Sequence, residues 1–383
     1  MQRFIGLFVC VLAALGALSS TSFAAAPARL IQTQDQRKAI ADQYIVVLKD
    51  GPSINAGSVA QSIGVSPKFT YSAAINGFAA KLTPRQLKQL QQHPQVDYIE
   101  QDAEISAQVE QPQVSLKTTQ TSATWGIDRI DQPNLPLNGT YVYNTTASNV
   151  TAYVIDTGIA NSHVQFSGRA ASAYDALGGN GVDCHGFGTH LAGTIGSMSY
   201  GVAKGVRLRG VRVFDCFRSG TISSVLAGIN WVTANAVKPS VAIFGSWTSY
   251  NATLNNAASN LANAGVYVAL PAGDSGVDAC TYSPGSTVAL MTVGASNNTD
   301  TRPSWSNYGN CVDLHAPGVS ILSTWINGGT NTISSTAMAA AHVTGCAAKY
   351  KATYGDVPQS TLNQWLTSNA TVVNGIRIMY CPL

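Results

Sequence analysis

Charge is scarce in this sequence. Charged residues occupy 11% of its 383 positions and the formal net charge is only +3, whereas about a quarter of the residues in an average domain are charged. No run of lysine and arginine forms a basic stripe, so no nucleic-acid partner is expected. The cysteines have neither the C-x-x-C spacing of redox pairs nor the spacing of zinc clusters. Beyond the amino terminus no apolar run is long enough to cross a bilayer, so no membrane partner is expected.

The amino terminus has the three parts of a secretory signal. Gln2-Arg3 supplies a short positive region, an apolar stretch runs from Phe4 to Leu18, and Ser22-Phe23-Ala24 offers a small-x-small cleavage site. A membrane anchor is the alternative, but this stretch is short for a hydrocarbon core of about 30 Å. Residues 1–26 are therefore predicted to be a signal peptide and the protein to be secreted and extracellular. Loss of the signal removes Cys10 and leaves an even number of cysteines, which favours disulfides in an oxidising compartment.

Two folded regions are predicted after the signal. An apolar, β-branched strand from Gln43 to Lys49 begins a small α+β unit, residues 43–105. Residues 106–124 are polar and have no hydrophobic period, so they are interpreted as a linker. In residues 125–383, buried-type strands such as that from Val150 to Ile155 alternate with helical stretches. This alternation predicts an α/β domain with a parallel sheet covered on both faces.

Several ordered motifs connect these regions to a known family. They are Ala152-Tyr153-Val154-Ile155-Asp156-Thr157-Gly158-Ile159, Gly188-Thr189-His190-Leu191-Ala192-Gly193-Thr194-Ile195, Asn331-Thr332-Ile333-Ser334 with His342-Val343-Thr344-Gly345, and, in the small unit, Gly77-Phe78-Ala79-Ala80-Lys81-Leu82. They resemble the aspartate, histidine and serine motifs of the subtilases, in the proteinase K branch, and the inhibitor-like propeptide of that family. The resemblance implies a subtilisin-like fold, with helices flanking a mostly parallel sheet and a small α+β propeptide domain in front of it.

The resemblance also suggests a disulfide pattern. The positions of Cys184 with Cys216, and of Cys280 with Cys311, look like the two disulfides of the aqualysin-like bacterial members. Cys346 and Cys381 are then left to pair with each other. We therefore expect three disulfides in residues 125–383.

Catalysis in this family requires a serine nucleophile, a histidine base and an aspartate that orients the histidine. Asp156 occupies the aspartate position, but Phe187 stands at the histidine position and Ala337 at the serine position. Asp274 stands where the family has the asparagine that donates to the oxyanion, and an ionised carboxylate only accepts hydrogen bonds. Losing one such donor costs on the order of 3–4 kcal/mol in subtilisin. These positions predict a degenerate centre without a functional catalytic residue.

Neighbouring residues offer alternative catalytic groups. Ser335 and His185 each precede a degenerate position by two residues. A shift of two residues along a helix turns a side chain by about 200°, so Ser335 is expected to point away from the site. His185 is interpreted as a surface histidine, because Asp183, His185 and His190 lack a metal-binding spacing beyond chance.

The substrate groove is expected to differ from that of the family as well. In the family, a Ser-Leu-Gly-Gly edge strand pairs with the peptide backbone by β-addition. The matching segment contains Ser246 and Trp247, so a large ring stands where a glycine admits the peptide. On the opposing strand the family's Asn-Gly-Ser-Gly becomes Phe217 followed by Arg218-Ser219-Gly220.

One metal site is implied by the resemblance. Proteinase K-like domains hold a structural calcium with one carboxylate and two backbone carbonyls, and the matching positions are Asp313, Val288 and Leu290. Calcium prefers such oxygen ligands. The alternative is a solvated surface aspartate. No catalytic cofactor is expected.

Three functions remain open at this point. The substitutions favour a protein that is not an enzyme, a secreted pseudoprotease that binds a protein or peptide partner such as a protease or a protease inhibitor. The second is a serine endopeptidase with weak or unconventional activity, and the third is an extracellular structural protein. The protein is expected to be a monomer.

Overall fold

The computed structural model describes residues 26–32, 39–49, 51, 54–71, 76–103 and 117–383. The chain forms two compact units, Met1–Val109 and Glu110–Leu383. The predicted signal peptide up to residue 25 and the part of the predicted linker up to residue 116 lie outside the described residues. The last part of that linker contains a β-strand, Thr118–Thr121, which belongs to the second unit.

In its described residues, the first unit is a five-stranded sheet with two helices. Its strands have the order β1-β5-β2-β4-β3; β2 pairs antiparallel with β4 and β5, and β1 pairs parallel with β5. The second helix begins after Thr83, whose hydroxyl and N–H exchange hydrogen bonds with Gln86 in a capping box. The elements are β1 (Arg29–Ile31), β2 (Ala39–Leu48), α1 (Ala56–Ser62), β3 (Phe69–Tyr71), β4 (Gly77–Lys81), α2 (Pro84–Gln91) and β5 (Val96–Ala103).

The second unit is built on a nine-stranded sheet in the described part of the chain. Its order is β19-β20-β16-β15-β13-β11-β8-β10-β9, and each neighbouring pair is parallel except β19 with β20. In the described residues, β6 with β7, β12 with β14, and β17 with β18 form three separate two-stranded sheets. The strands of the unit in chain order are β6 (Thr118–Thr121), β7 (Thr140–Tyr143), β8 (Thr151–Asp156), β9 (Ala170–Asp175), β10 (Arg207–Arg212), β11 (Ser240–Phe244), β12 (Thr248–Ser249), β13 (Tyr267–Pro271), β14 (Tyr282–Ser283), β15 (Met291–Ser296), β16 (Leu314–Pro317), β17 (Ile321–Thr324), β18 (Thr330–Ile333), β19 (Thr371–Val373) and β20 (Ile376–Ile378). The helices are α3 (Trp125–Ile130), α4 (Phe187–Gly196), α5 (Ile222–Asn235), α6 (Ala252–Asn263), α7 (Thr336–Tyr354) and α8 (Gln359–Asn369).

Both faces of this sheet are buried. Along β8, Ala152 and Val154 belong to one apolar cluster, while Tyr153 and Ile155 belong to another. The first cluster includes side chains of α4 and α7, and the second includes side chains of α5 and α6. Helices therefore cover the two faces of a mostly parallel sheet, which confirms the predicted α/β fold class.

The three expected cysteine pairs are present as disulfides. Cys184 is bonded to Cys216, Cys280 to Cys311, and Cys346 to Cys381. The third ties α7 to the carboxyl-terminal tail, where the N–H of Cys381 also bonds the carbonyl of Ile130. Within the described ranges, none of the helices combines the length and apolar character that crossing a bilayer requires.

Candidate active site

The candidate site lies at the carboxyl end of the parallel sheet. Asp156 is the last residue of β8, the loop that carries Arg218 follows β10, and Gly245 follows β11. Loops beyond the carboxyl ends of parallel strands are where open α/β folds bind their ligands. The amino ends of α4 and α7 complete the site, because they carry Phe187 and Ala337.

Asp156 is completely buried and only partly hydrogen-bonded. Its Oδ1 accepts the N–H of Thr157 at 2.7 Å, whereas its Oδ2 has no hydrogen-bond partner. Gly245 closes over this oxygen, and a Cβ added there would lie 2.1 Å from Oδ2. Burial raises the pKa of Asp156, while Arg218 and the Thr157 amide lower it by smaller amounts. A charged carboxylate here therefore depends on a nearby cation.

Arg218 supplies that cation. Its Nε lies 3.8 Å from Asp156 Oδ2, and its Cζ lies 3.4 Å from the centre of the Phe187 ring. Its Nη2 also donates to the carbonyl of Gly245 at 2.5 Å. The guanidinium is thus stacked on the ring that occupies the family's histidine position, and it faces the carboxylate that would orient a histidine. The sequence placed Arg218 in the groove but did not reveal its contact with Asp156.

A tight loop holds Arg218 in this position. Asp215 Oδ1 accepts the N–H groups of Phe217 and Ser219 at 2.9 and 2.8 Å, and Arg218 between them has a φ of 59°. This left-handed conformation is uncommon for a residue with a side chain. An aspartate that bonds backbone N–H groups within a short turn is a recognisable sequence signal, but it does not tell where the arginine points.

The amino end of α7 contains a hydroxyl next to a carboxyl group. Ser335 is the N-cap of this helix, and its Oγ accepts the N–H of Ala337 at 3.0 Å. The Ser335 side chain also helps to lower the pKa of Asp274. The helical rotation behind the prediction that Ser335 points away does not apply, because Ser335 precedes the helix in extended conformation, with φ −169° and ψ 153°. The direction of its side chain relative to the site stays a prediction.

Asp274 is held at the amino end of α7 as a hydrogen-bond acceptor. Its Oδ1 accepts the N–H of Thr336 at 2.8 Å and the Thr336 hydroxyl at 2.7 Å. Burial raises its pKa, and the contacts with Thr336, Ser335 and Arg218 oppose this rise. The carboxyl group is therefore a stronger base than an exposed aspartate, and its protonated form would have a donor.

His185 and Asp183 have structural roles at the start of α4. Asp183 accepts the N–H groups of His185 and Gly186 through Oδ1, and the N–H and hydroxyl of Thr189 through Oδ2. His185 Nδ1 accepts the N–H of Phe187 at 3.3 Å. Asp183 is thus engaged in ordering the helix entry, and in the described part of the chain no group of three or more His, Cys, Asp or Glu side chains is arranged to hold a metal.

The groove residues line one cavity of about 490 Å³ beside Arg218. Two sides of this cavity come from the loops after β10 and β11. The predicted groove residues among its lining are Arg218, Ser219, Gly220, Ser246 and Trp247. Phe244, Val225 and Leu254 supply an apolar floor, so the cavity suits an apolar side chain next to a cationic rim.

The residues of the predicted calcium site do not line a common cavity. Asp313 lines one with Arg377, and its Oδ2 accepts the N–H of Thr292 at 2.7 Å. Val288 and Leu290 line another, next to Asp356. Burial raises the pKa of Asp313, which disfavours the charged form that calcium needs. The calcium site stays a prediction, and no function below depends on it.

The architecture and the position of these residues define a subtilisin-type α/β domain preceded by a small inhibitor-like domain. Residues 147–379 match the subtilase family, and residues 43–108 match the family described as peptidase inhibitor I9. The chain is 46% identical to alkaline serine exoprotease A of Vibrio alginolyticus, over 90% of this chain and 67% of the relative. It is 45% identical to an extracellular serine proteinase of Thermus sp. (strain Rt41A), over 87% of this chain and 86% of the relative.

A solved structure agrees with the sequence comparisons. A cold-adapted subtilisin-like serine proteinase has a TM-score of 0.67 and 44% identity with this chain, and the match covers 68% of this chain and 99% of the solved one. The chain therefore belongs to the subtilase family.

These findings correct one expectation. The substituted positions predicted that the protein is not an enzyme, but relatives 45–46% identical over most of the chain are named as serine proteases. That expectation gave the substitutions at Phe187, Ala337 and Asp274 more weight than the similarity of the rest of the domain to active relatives. It also overlooked that Asp274 is bonded to Thr336, the residue next to Ser335. Because Phe187 cannot act as a base and Ala337 cannot act as a nucleophile, a reaction at this site has to use other groups.

Proposed function

We propose that the protein is a secreted endopeptidase with weak, unconventional activity, and that Ser335 and Asp274 form its centre. The observation that carries this proposal is that Asp274 is bonded to Thr336, the residue next to Ser335, and that the Ser335 side chain also helps to lower the pKa of Asp274. A serine is activated when a base lies within hydrogen-bond reach and a third group orients that base. Thr336 is that third group, because its N–H and hydroxyl both donate to Asp274.

The proposed reaction uses this pair in the order usual for acyl transfer. Asp274 takes the proton of Ser335 as Oγ attacks the carbonyl carbon of the peptide, and it returns the proton to the leaving amine. Water then hydrolyses the acyl group by the same route. Arg218 interacts electrostatically with Asp274 and is the one charged side chain among the described residues that line the cavity, so it is placed to stabilise the negative oxygen.

Two features make the expected activity weak. Ser335 is only 2% exposed, and its oxygen already serves as the cap of α7. In subtilisin, removing the serine or the histidine lowers kcat by a factor of about a million, and a residual rate over water of about a thousandfold or more remains. We therefore expect turnover far below that of family members that have the complete triad.

The proposed partner is an extended polypeptide in the groove. The cavity has an apolar floor and one guanidinium at its rim, which suits a peptide side chain rather than a nucleotide. Protease inhibitors with extended loops belong to the same chemical class of partner. We also propose that the protein is secreted and that it is a monomer. The Thermus relative is named as extracellular, which supports secretion. The inhibitor-like first unit is proposed to act as a propeptide.

Casein hydrolysis and labelling by a fluorophosphonate probe test the centre. The full chain should release peptides slowly, and the probe should label Ser335 unless phenylmethylsulfonyl fluoride is added first. Ser335→Ala and Asp274→Asn should abolish both signals. Ser334→Ala is the matched control, since Ser334 is exposed and its Oγ accepts the N–H of Ser320.

Loss of the helix cap must be separated from loss of the nucleophile. Ser335→Ala removes a capping oxygen, which costs about 0.5–2 kcal/mol. Ser335→Thr keeps a capping hydroxyl and should keep part of the activity. No hydrolysis by the wild-type chain, or hydrolysis that Ser335→Ala and Asp274→Asn leave unchanged, would refute the proposal.

A further inference from the structure

A second cavity lies away from the candidate active site, beside the last strands of the sheet. It has a volume of about 390 Å³ and is lined by β16, by the hairpin of β19 and β20, and by the segment before β16. Its charged and polar lining residues are Arg302, Tyr308, Asp313, His315 and Arg377. The proposed reaction uses none of these residues, and the only role given to one of them so far is that of Asp313 in the predicted calcium site.

His315 is the unusual residue of this cavity. It is only 6% exposed, yet neither of its ring nitrogens has a hydrogen-bond partner in the protein. It faces Gly294 on β15, where a Cβ would lie 2.8 Å from Nε2, so the glycine leaves room for the ring. A buried polar group without a partner is costly. Because His315 lines the cavity, a ligand there would have this unsatisfied imidazole beside it.

Two guanidinium groups give the cavity its charge. Arg302 is half-buried, and its Nη1 donates to the carbonyl of Ser306 at 2.5 Å while its Cζ lies 5.1 Å from the Tyr308 ring. Arg377 is exposed on β20 and interacts electrostatically with Asp313. The Asp313 carboxyl opposes an anion, but two arginines outweigh it. An imidazole has a donor nitrogen in each of its protonation states.

We propose that this cavity binds a small oxyanion, a phosphate or a carboxylate, through Arg302, Arg377 and His315. Arginine is suited to both groups, because its planar donors match two oxygens of a phosphate or a carboxylate. The unpartnered imidazole adds a donor from the buried side. The proposal is independent of the proposed hydrolysis, because it uses none of the same residues.

Titration calorimetry of the full chain with inorganic phosphate, and separately with succinate, tests the site. We expect binding with a dissociation constant below about 1 mM, and the tighter of the two probes shows which oxyanion fits. Arg377→Gln should weaken binding about tenfold to a hundredfold, since it removes a charge-assisted hydrogen bond. His315→Phe should weaken binding about tenfold, because it removes the ring nitrogens while keeping an aromatic ring at this position.

Arg85→Gln is the matched control. It removes the same charge from an exposed position in the first unit and should leave the affinity unchanged. If His315→Phe fails to fold, Arg377→Gln decides, because Arg377 is exposed and its loss leaves the core intact. The proposal would be overturned if neither probe bound at 10 mM, about ten times the expected limit. It would also be overturned if Arg377→Gln, His315→Phe and the control Arg85→Gln weakened binding equally.

Discussion

Replacing Arg218 by glutamine tests how the candidate site holds its buried carboxylate. Asp156 is fully buried, one of its oxygens has no hydrogen bond, and the Arg218 Nε lies 3.8 Å from that oxygen. Glutamine removes the cation but keeps a side chain of similar length at the same left-handed backbone position. The change therefore isolates the charge and the stacking on Phe187.

The size of the effect follows from the geometry. Two unit charges 3.8 Å apart interact by about 4 kcal/mol at an effective dielectric constant of about 20. The Arg218 side chain is 27% exposed, so solvent screening reduces this value. Stacking on Phe187 adds about 0.5–2 kcal/mol. We expect Arg218→Gln to lower the free energy of unfolding by about 2–3 kcal/mol at pH 7.

The pH dependence has a definite sign. The pKa of Asp156 is raised in the folded protein, so the carboxyl group stabilises the fold when protonated and loses that contribution as the pH rises through its folded pKa. Removing Arg218 raises this pKa further. The cost of Arg218→Gln should therefore be largest at pH 7 and should shrink as the pH falls from 7 towards 3.8, because a neutral carboxyl group needs no cation.

Urea denaturation at several pH values measures both effects. Arg218→Lys is the matched control because it keeps the positive charge. Its free energy of unfolding should fall only by the part that the stacking on Phe187 contributes. In the D156N background, Arg218→Gln should cost about 1 kcal/mol, and that cost should not vary with pH. An equal cost in both backgrounds, or a cost that grows as the pH falls, would show that Arg218 does not compensate Asp156.

Three further outcomes are expected. Phe187→His and Ala337→Ser should each leave casein hydrolysis within about fivefold of the wild type, whereas the two together should raise kcat at least about a hundredfold, because the serine and the histidine act as a unit. Lys349 is fully buried and its pKa is lowered to about 7. The free energy of unfolding of the wild type, measured by chemical denaturation, should therefore rise from pH 7 to about 10.5. Below pH 7, Lys349→Met should raise that free energy by about 4 kcal/mol. Replacing both cysteines of the Cys346–Cys381 disulfide by serine should lower the free energy of unfolding in urea by about 3–4 kcal/mol, since the bond closes a loop with a separation of 35 residues; an unchanged midpoint would contradict this.

The scaffold was predictable because its signals are local or periodic. Strands such as β8 are short apolar runs between polar turns, and the helices between them have the length that a crossover requires. Thr83 indicates the start of a helix. The even number of cysteines after the predicted signal peptide indicates disulfides. These features follow from backbone hydrogen bonding and from burial, and both act through neighbours in sequence.

The contents of the site were less predictable because they depend on where long side chains point. Arg218 and Phe187 are 31 positions apart in the sequence, and they meet only because the loop after β10 turns back over the amino end of α4. The rotation argument for Ser335 fails for a similar reason. A helical rotation was applied to a residue that lies just outside the helix, and one residue of difference in the start of α7 changes the direction in which its hydroxyl points.

The contacts of Arg218 imply that positions 187 and 218 are physically coupled. In a Ser-His-Asp triad the buried aspartate accepts a hydrogen bond from the histidine and stabilises its charged form. A phenylalanine at that position provides neither a donor nor a charge, so Asp156 would be left as an unpaired carboxylate in a sealed pocket. Arg218 places a cation against both the ring and the carboxylate. A histidine introduced at position 187 would therefore have to displace the guanidinium of Arg218 before Asp156 could orient it.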